Sequence, residues 1–293
     1  MHEGLGQLLT HLPPKTAGAL VQAINRCGAQ LGIGPDWVRR WIGFTVVADA
    51  LAQYQPNIFE LKGGAAIELR LRRFDGAAVR PRATRDLDAT FRGELDEIVG
   101  AVRAALAEPR HGFAFRVETD DRPVEKMRRL NVHVSYRIER FGRIVETAFS
   151  NVRLEVSAYE GTPRDPELVS AYSLKPFGIE GPEYLPCLPL PKQIAQKIHA
   201  VTDVTESGLN ERFRDLLDIV LLSAIEAPSA ELREVCEETF NIRARQSWPP
   251  AIIAHPQWVE PLEARAREMG LEQTSADEIV AHVIDYVRRI AAA

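Results

Sequence analysis

The 293-residue sequence contains only three cysteines, Cys27, Cys187 and Cys236. They are too few and too scattered for a disulfide framework or a zinc site, and an odd number is typical of a reducing compartment. No apolar run approaches the roughly 20 residues that a membrane helix needs. The first residues also lack the basic start and apolar core of a secretory signal. We therefore expect a cytoplasmic protein with no membrane partner.

The chain has no excess of positive charge, since its formal net charge is −5, which at first argues against a nucleic-acid partner. Its distribution of charge is uneven, however. Between residues 70 and 92 there are seven arginines, at 70, 72, 73, 80, 82, 85 and 92, against three acidic residues. The planar guanidinium group suits phosphate. This segment is therefore either a salt-bridged, solvated surface or a footprint for RNA phosphates.

Two aspartates within that basic segment form a candidate metal site. Asp86 and Asp88 flank Leu87 at the start of a predicted strand that ends near Phe91. Side chains at positions i and i+2 of a strand point to the same face, so both carboxylates can reach one cation. Magnesium prefers carboxylate oxygens and keeps room for substrate phosphates. An exposed or capping pair without metal is the alternative interpretation of these residues.

A glycine turn precedes the aspartates and suggests phosphate binding. Lys62, Gly63 and Gly64 stand between a short predicted strand, residues 58–61, and a predicted helix that begins near Ala65. Glycines let the backbone approach a phosphate, and a helix N-terminus offers free N–H groups. Alone, such a sequence is usually only a turn.

The remainder of the chain divides into a β-rich middle and a helical end. Alternating patterns predict strands at 113–117, 130–136, 144–149 and 152–157, and residues 160–191 are rich in proline and without periodicity, which predicts a linker or binding loop. Helical patterns dominate from residue 191 onward. Before the β-rich middle, similar patterns predict helices at 14–31, 35–54 and 94–108. In the predicted helix 211–226, Asp215 and Asp218 fall opposite the apolar stripe, so they form either a solvated face or part of a pocket. Lys197 flanks an apolar stripe and can extend its ammonium group into a cleft.

Four blocks of this sequence together resemble a known family. They are Lys62-Gly63-Gly64, the segment 84–88 (TRDLD), the segment 191–200 (PKQIAQKIHA) and the segment 212–218 (RFRDLLD). In this order they resemble the signature blocks of the AbiEii/AbiGii nucleotidyltransferase-like toxins, which include mycobacterial toxins with kinase-like antitoxins. The serine that the wider superfamily carries after its first glycine is replaced here by Gly64.

The resemblance implies an α/β (α+β), polymerase-beta-like nucleotidyltransferase fold with a mixed sheet. We expect a nucleotidyltransferase domain with N-terminal helices at residues 1–185 and a helical C-terminal domain at 186–293. It also implies Mg²⁺ (one or two ions), an NTP as donor, the tRNA 3′ end as acceptor, blocked translation and a cognate antitoxin. Rival functions are nucleotidylation of a protein side chain and an inactive RNA- or protein-binding module.

The same resemblance assigns roles to individual residues. Asp86 and Asp88, with Glu155 as a third carboxylate, are expected to hold the metal; Glu155 is otherwise an edge-strand charge. Lys62, Gly63, Gly64 and Lys197 are expected to bind the phosphates, and Asp215 or Asp218 to act as a base or to orient the nucleotide. The arginines assigned to RNA are Arg72, Arg73, Arg80, Arg82 and Arg85. Thr84, placed by strand spacing on the face of both aspartates, is a candidate phosphorylation switch, because a phosphate would add about −1.5 to −2 charges there; otherwise it is an ordinary β-branched strand residue.

Overall fold

The structure, a computed structural model, describes residues 13–71, 84–120, 126–203, 210 and 212–293. They fall into two compact units. Within the described ranges, the first unit holds residues up to 71, 84–159 and 166–187, and the second holds 160–165 and the chain from 188 onward. The predicted domain boundary after residue 185 lies two residues before the last change of unit. The two predicted domains remain a prediction, and the excursion at 160–165 was not part of it.

The first unit is built on a seven-stranded mixed sheet with the order β3-β4-β5-β2-β1-β7-β6. β2 runs parallel to β5 and β1 runs parallel to β7, whereas the other neighbours are antiparallel. The strands are β1 Phe59–Lys62, β2 Asp86–Phe91, β3 Phe113–Thr119, β4 Met127–Arg140, β5 Arg143–Ala158, β6 Glu167–Ser170 and β7 Tyr184–Cys187.

The first two helices of this unit begin or end at residues that favour helix termini. The helices are α1 Ala17–Leu31, α2 Pro35–Tyr54, α3 Gly63–Leu71 and α4 Ile98–Ala105, and Lys175–Phe177 forms a short 3₁₀ turn. The Thr16 hydroxyl accepts the Ala19 N–H at 3.0 Å, and Gly32 ends α1 in a left-handed conformation. Pro35 occupies the first turn of α2, whose centre is buried on all sides from Trp41 to Leu51. The core therefore lies between α2 and the apolar side chains of the sheet.

The second unit is helical. It contains α5 Leu190–Thr202, α6 Phe213–Ser223, α7 Ala230–Arg243, a 3₁₀ turn Pro256–Trp258, α8 Val259–Met269 and α9 Ala276–Ala292. Ser229 caps α7 through its hydroxyl, and Ser275 and Glu278 form a reciprocal capping box at α9. Among the described residues, no helix is both long and apolar enough to cross a membrane.

The segment 160–165 is fastened along α7 by polar contacts. Arg243 donates to Glu160 at 2.7 Å, and Glu238 accepts both the Thr162 backbone N–H at 2.7 Å and the Lys192 ammonium at 3.1 Å. Burial alone would raise the pKa of Glu238, but the hydrogen bonds from Thr162 and the charge of Lys192 outweigh it and lower the pKa to about 2. Ion pairs and hydrogen bonds therefore hold this short segment within the helical unit.

The sequence predicted the mixed α/β class correctly but misjudged several elements. The two strands predicted at 144–149 and 152–157 are one continuous β5, because a shift in the β4–β5 register between Val134 and Ser135 restores the pairing. The predicted loop 160–191 contains β6 and β7, which complete one edge of the sheet. These strands have four residues each, too few for a periodic pattern. The helix predicted at 94–108 is shorter, at Ile98–Ala105.

Candidate active site

One row of charged residues crosses the centre of the sheet. Asp88 of β2 lies in register with Lys62 of β1 on one side and with Glu155 of β5 on the other, and Glu155 is in register with Arg129 of β4. Strand neighbours in register share a face. The order along the row is thus positive, negative, negative, positive. The interpretation of Glu155 as an edge-strand charge is wrong, because β5 is flanked by both β4 and β2.

Asp86 extends this row into an acidic patch on the same face. Asp86 lies two residues before Asp88 and in register with Arg153, whose guanidinium approaches it at 3.5 Å. Glu155 accepts from Arg129 at 2.8 Å and also contacts Arg153 at 3.5 Å. The alternating residues Leu87, Ala89, Leu154 and Val156 are fully buried on the other face. The pleat therefore separates an apolar core side from a polar side that carries Asp86, Asp88 and Glu155.

The glycine turn packs directly against Asp88. Gly63 has φ +60°, and a Cβ added to it would lie 2.7 Å from the Asp88 carboxyl carbon. Only glycine fits, because a side chain would both clash and disfavour the left-handed backbone. Gly64 follows as a buried residue in the first turn of α3. The structure thus brings the glycine turn and the Asp-x-Asp strand into contact, as the sequence led us to expect.

Lys62 is held within this face of the sheet. Its ammonium group donates to the Ser157 hydroxyl at 2.6 Å, and Ser157 in turn donates to the Ala158 carbonyl at 3.1 Å. Ser157 was not among the predicted site residues, although its alternation with Arg153 and Glu155 in β5 provided a signal.

The carboxylates have the right chemistry for magnesium but do not form a ready-made cage. Among the described residues, no three acidic, histidine or cysteine side chains are arranged to hold a metal ion. Asp86, Asp88 and Glu155 nevertheless share one face on neighbouring strands, and oxygen donors are what Mg²⁺ prefers. The contacts of Glu155 with Arg129 and Arg153 both use its Oε1 atom. The donor set therefore fits Mg²⁺ in type and position.

A second charged cluster lies inside the helical unit. The Lys197 ammonium of α5 contacts Asp215 Oδ1 at 2.5 Å and Asp218 Oδ2 at 2.7 Å, both on α6. Both aspartate side chains are buried, that of Asp218 being only 1% exposed, and the Lys197 side chain is 15% exposed. Burial alone would lower the pKa of Lys197, but the charges and hydrogen bonds of Asp215 and Asp218 more than offset it, so its pKa is raised. The lysine therefore stays protonated, and the exposed guanidinium group of Arg212 lies 4.0 Å from Asp215 Oδ2 as a second positive charge.

This arrangement changes the interpretation of the three residues. The solvated face proposed for Asp215 and Asp218 is wrong, because every residue of α6 from Asp215 to Leu222 is buried. The apolar stripe could not reveal this, since the stabilising charge comes from another helix. Lys197 is first of all the counter-ion of two aspartates, which occupy two of its three donors. Its role in binding phosphate remains a prediction.

Thr84 lies just outside the strand, contrary to the spacing argument. β2 begins at Asp86, so the two-residue alternation does not extend to Thr84. Its side chain is buried, and its hydroxyl donates to the Asp86 backbone carbonyl at 3.0 Å. The Thr84 carbonyl accepts from Arg40 at 3.1 Å. A kinase would reach this hydroxyl only after the segment opened, so the proposed switch loses its geometric support.

The arginines assigned to RNA are mostly outside the described residues. Arg72, Arg73, Arg80 and Arg82 belong to the undescribed range 72–83, whereas Arg85 is described and exposed immediately before β2. Arg129 and Arg153, which sequence reasoning did not assign to the site, contact its carboxylates directly. Their positions follow from the register of β4 and β5, which the sequence pattern alone did not fix.

A glycine turn against a carboxylate pair, on the polar face of a mixed sheet, is the arrangement expected of a nucleotide-handling α/β protein. Comparisons with known proteins agree with this class. Residues 48–288 match the family described as nucleotidyl transferase AbiEii toxin, type IV toxin–antitoxin system. The chain therefore belongs to the AbiEii family of nucleotidyl transferase toxins.

A solved structure with a TM-score above 0.5 supports the fold. The chain resembles MenT4, a nucleotidyltransferase toxin of Mycobacterium tuberculosis H37Rv, with a TM-score of 0.55 and 19% identity over 92% of this chain and 88% of that one. JHP933 and a putative nucleotidyltransferase, both from Helicobacter pylori, have TM-scores of 0.40 and 0.39 at 15% identity; each comparison covers 86% of this chain, and 90% and 92% of theirs. No curated protein sequence matches significantly. The predicted nucleotidyltransferase fold is confirmed.

Proposed function

We propose that this toxin transfers a nucleoside monophosphate from an NTP to the 3′ end of tRNA, releasing pyrophosphate and blocking translation in the cytoplasm. The observation that carries the proposal is the contact between the Gly63 turn and Asp88, beside Asp86 and Glu155 on the same face. Membership of the AbiEii family supports the transfer chemistry. A cognate antitoxin is expected to hold the activity in check.

The chain's own residues would position the reactants. Asp86, Asp88 and Glu155 would hold magnesium, which when bound neutralises triphosphate charge. The N–H groups at Gly63 and Gly64 lie at the start of α3, where a helix terminus favours anions. Lys62 would add a positive charge next to the same turn. Catalysis of this kind depends mainly on positioning and charge stabilisation.

The helical cluster is proposed to bind the nucleotide. Two buried aspartates held by one lysine present carboxylate oxygens at fixed positions. Such a group suits a base or an orienting acceptor for nucleotide hydroxyls better than a direct cradle for phosphates. We therefore assign Asp215 or Asp218 to nucleotide orientation or to general base, and Lys197 mainly to holding them in place.

Transfer from α-labelled NTP in the presence of Mg²⁺ and total tRNA tests the proposal. We expect label on tRNA with the wild-type protein and none with Asp86→Asn. The Asp86 side chain is 36% exposed, and its ion pair with Arg153 is long, at 3.5 Å. Losing such a surface ion pair costs little stability, so the substitution should leave folding nearly unchanged. Label on protein would favour nucleotidylation of a side chain. No label on either acceptor would favour an inactive binding module.

A further inference from the structure

β4 and β5 continue beyond the other strands as a two-stranded ribbon. β3 pairs with β4 only as far as Tyr136, and β2 pairs with β5 only from Arg153 onward. Among the described strands, residues 137–140 and 143–146 therefore pair only with each other. Phe141 and Gly142 connect them. We call residues 137–146 the ribbon tip.

Phe141 at the ribbon tip has a conformation that a bulky side chain disfavours. Its φ is +52°, in the left-handed region where hairpin turns usually carry asparagine, aspartate or glycine. Its side chain is 92% exposed, so packing does not offset this strain. The Arg140 guanidinium lies 5.4 Å from the ring centre. A strained backbone that presents an aromatic ring to solvent points to a binding role rather than a folding role.

The charges of the ribbon tip are segregated between its two faces. Arg140 lies directly opposite Arg143, and this like-charge pair is unfavourable for the hairpin itself. Neither arginine forms an ion pair with a described residue. Alternation along the strands places both acids of the tip, Glu139 and Glu146, on the opposite face. One face of the tip therefore carries two unneutralised arginines beside an exposed phenyl ring.

We propose that the ribbon tip binds an unpaired stretch of the acceptor RNA, with Phe141 stacking on a base and the two arginines holding adjacent phosphates. This inference rests on the proposed function, because it assigns a contact to the RNA substrate. Bases stack on exposed aromatic rings in single-stranded recognition, and arginine adds phosphate and cation–π contacts. The apolar side chains on this face are Phe141, Val145 and the partly buried Ile138, which lies opposite Val145. Their area is enough for one base but small for a stable protein interface.

Phe141→Asn separates RNA binding from folding. Asparagine tolerates a left-handed backbone, so we expect an equal or higher melting temperature. We also expect affinity for tRNA to fall about 5- to 150-fold, the range of one lost stacking contact. Phe141→Trp keeps a stacking surface and should retain the affinity. Binding is measured by fluorescence anisotropy with deacylated total tRNA, and the affinity for NTP should stay constant.

The arginines are tested through the salt dependence of binding. Arg140→Gln and Arg143→Gln should each reduce the log–log slope of affinity against salt by about 0.7, the value for one phosphate contact to a single strand. Arg137→Gln is the matched control, since Arg137 belongs to the same ribbon but lies on the other face, opposite Glu146. It should leave both affinity and slope unchanged.

Each outcome separates this inference from the proposed function. If the wild type labels tRNA while Phe141→Asn and both glutamine variants bind it normally, the ribbon-tip inference fails alone. If the wild type binds tRNA through the tip but does not label it, the proposed acceptor fails and the tip site stands. A wild type with no affinity for tRNA overturns both. If the ribbon-tip variants bind tRNA normally but no longer bind the antitoxin, the tip is instead a contact for a protein partner.

Discussion

Replacing Lys197 by methionine should strongly destabilise the helical unit. The substitution preserves most of the side-chain volume but removes the lysine that the carboxylates of Asp215 and Asp218, 6% and 1% exposed, both contact. The exposed Arg212, 4.0 Å from Asp215, is too distant and too solvated to replace it. Removing one partner of a buried ion pair costs about 3–5 kcal/mol. For a unit of this size that corresponds to a fall of roughly 10–20 °C in melting temperature. Thermal and urea unfolding, followed by circular dichroism, measure the change.

A triple variant is the control for this reasoning. Adding Asp215→Asn and Asp218→Asn to Lys197→Met removes the uncompensated charges, so most of the lost stability should return. Activity should not return, because the charged cluster is then absent. If the melting temperature of Lys197→Met lies within about 3 °C of that of the wild type, this lysine does not stabilise the two buried aspartates.

The pH at which the cluster is tested follows from the direction of the shift. The pKa of Lys197 is raised in the folded protein. Its contribution is therefore fully present below the unfolded lysine pKa of about 10.4, and it is lost only as pH rises through the higher folded value. The destabilisation by Lys197→Met should accordingly be constant between about pH 7 and 9.

Two further substitutions test the turn and the fastened segment. Gly63→Ala should abolish transfer, because its Cβ would displace the Asp88 carboxylate. Gly32→Ala is the control: Gly32 has φ +65° and no atom lies within 4 Å of the new Cβ, so this variant should show only the left-handed strain of about 1–2 kcal/mol. Equal transfer activity in the two variants would refute the steric argument. Glu238→Gln should lower stability at neutral pH by about 2–3 kcal/mol. Because the folded pKa of Glu238 is near 2, the wild type loses this contribution as pH falls from about 4.5 to 2, so the two unfolding curves should converge there; a constant difference would contradict the assignment.

Local signals in the sequence predicted the part of the site formed by neighbouring residues. The order strand, glycine turn, helix at 59–71 and the i, i+2 spacing of Asp86 and Asp88 are short-range properties. Each depends on backbone periodicity or on glycine at one position, so a single sequence is sufficient. The contact between Gly63 and Asp88 then follows from pairing of adjacent strands.

Long-range partners were not predictable in the same way. Arg129 reaches Glu155 only because of the β4–β5 register, which includes an irregularity at Val134 and Ser135. The burial of Asp218 depends on a lysine 21 positions earlier, on another helix. An amphipathic pattern predicts that an aspartate is exposed. It contains no information about a cation on another helix that would stabilise a buried carboxylate. Polar clusters of this type are the residues that pattern reasoning misplaces.

Comparing α-labelled with γ-labelled NTP is the measurement that tests the central claim most directly. If the polar face around Asp86 and Asp88 transfers a nucleoside monophosphate, tRNA will gain the α label and not the γ label. Asp86→Asn will then gain neither while melting within a few degrees of the wild type. Transfer of the γ label, or undiminished α labelling by the folded Asp86→Asn variant, would contradict the account.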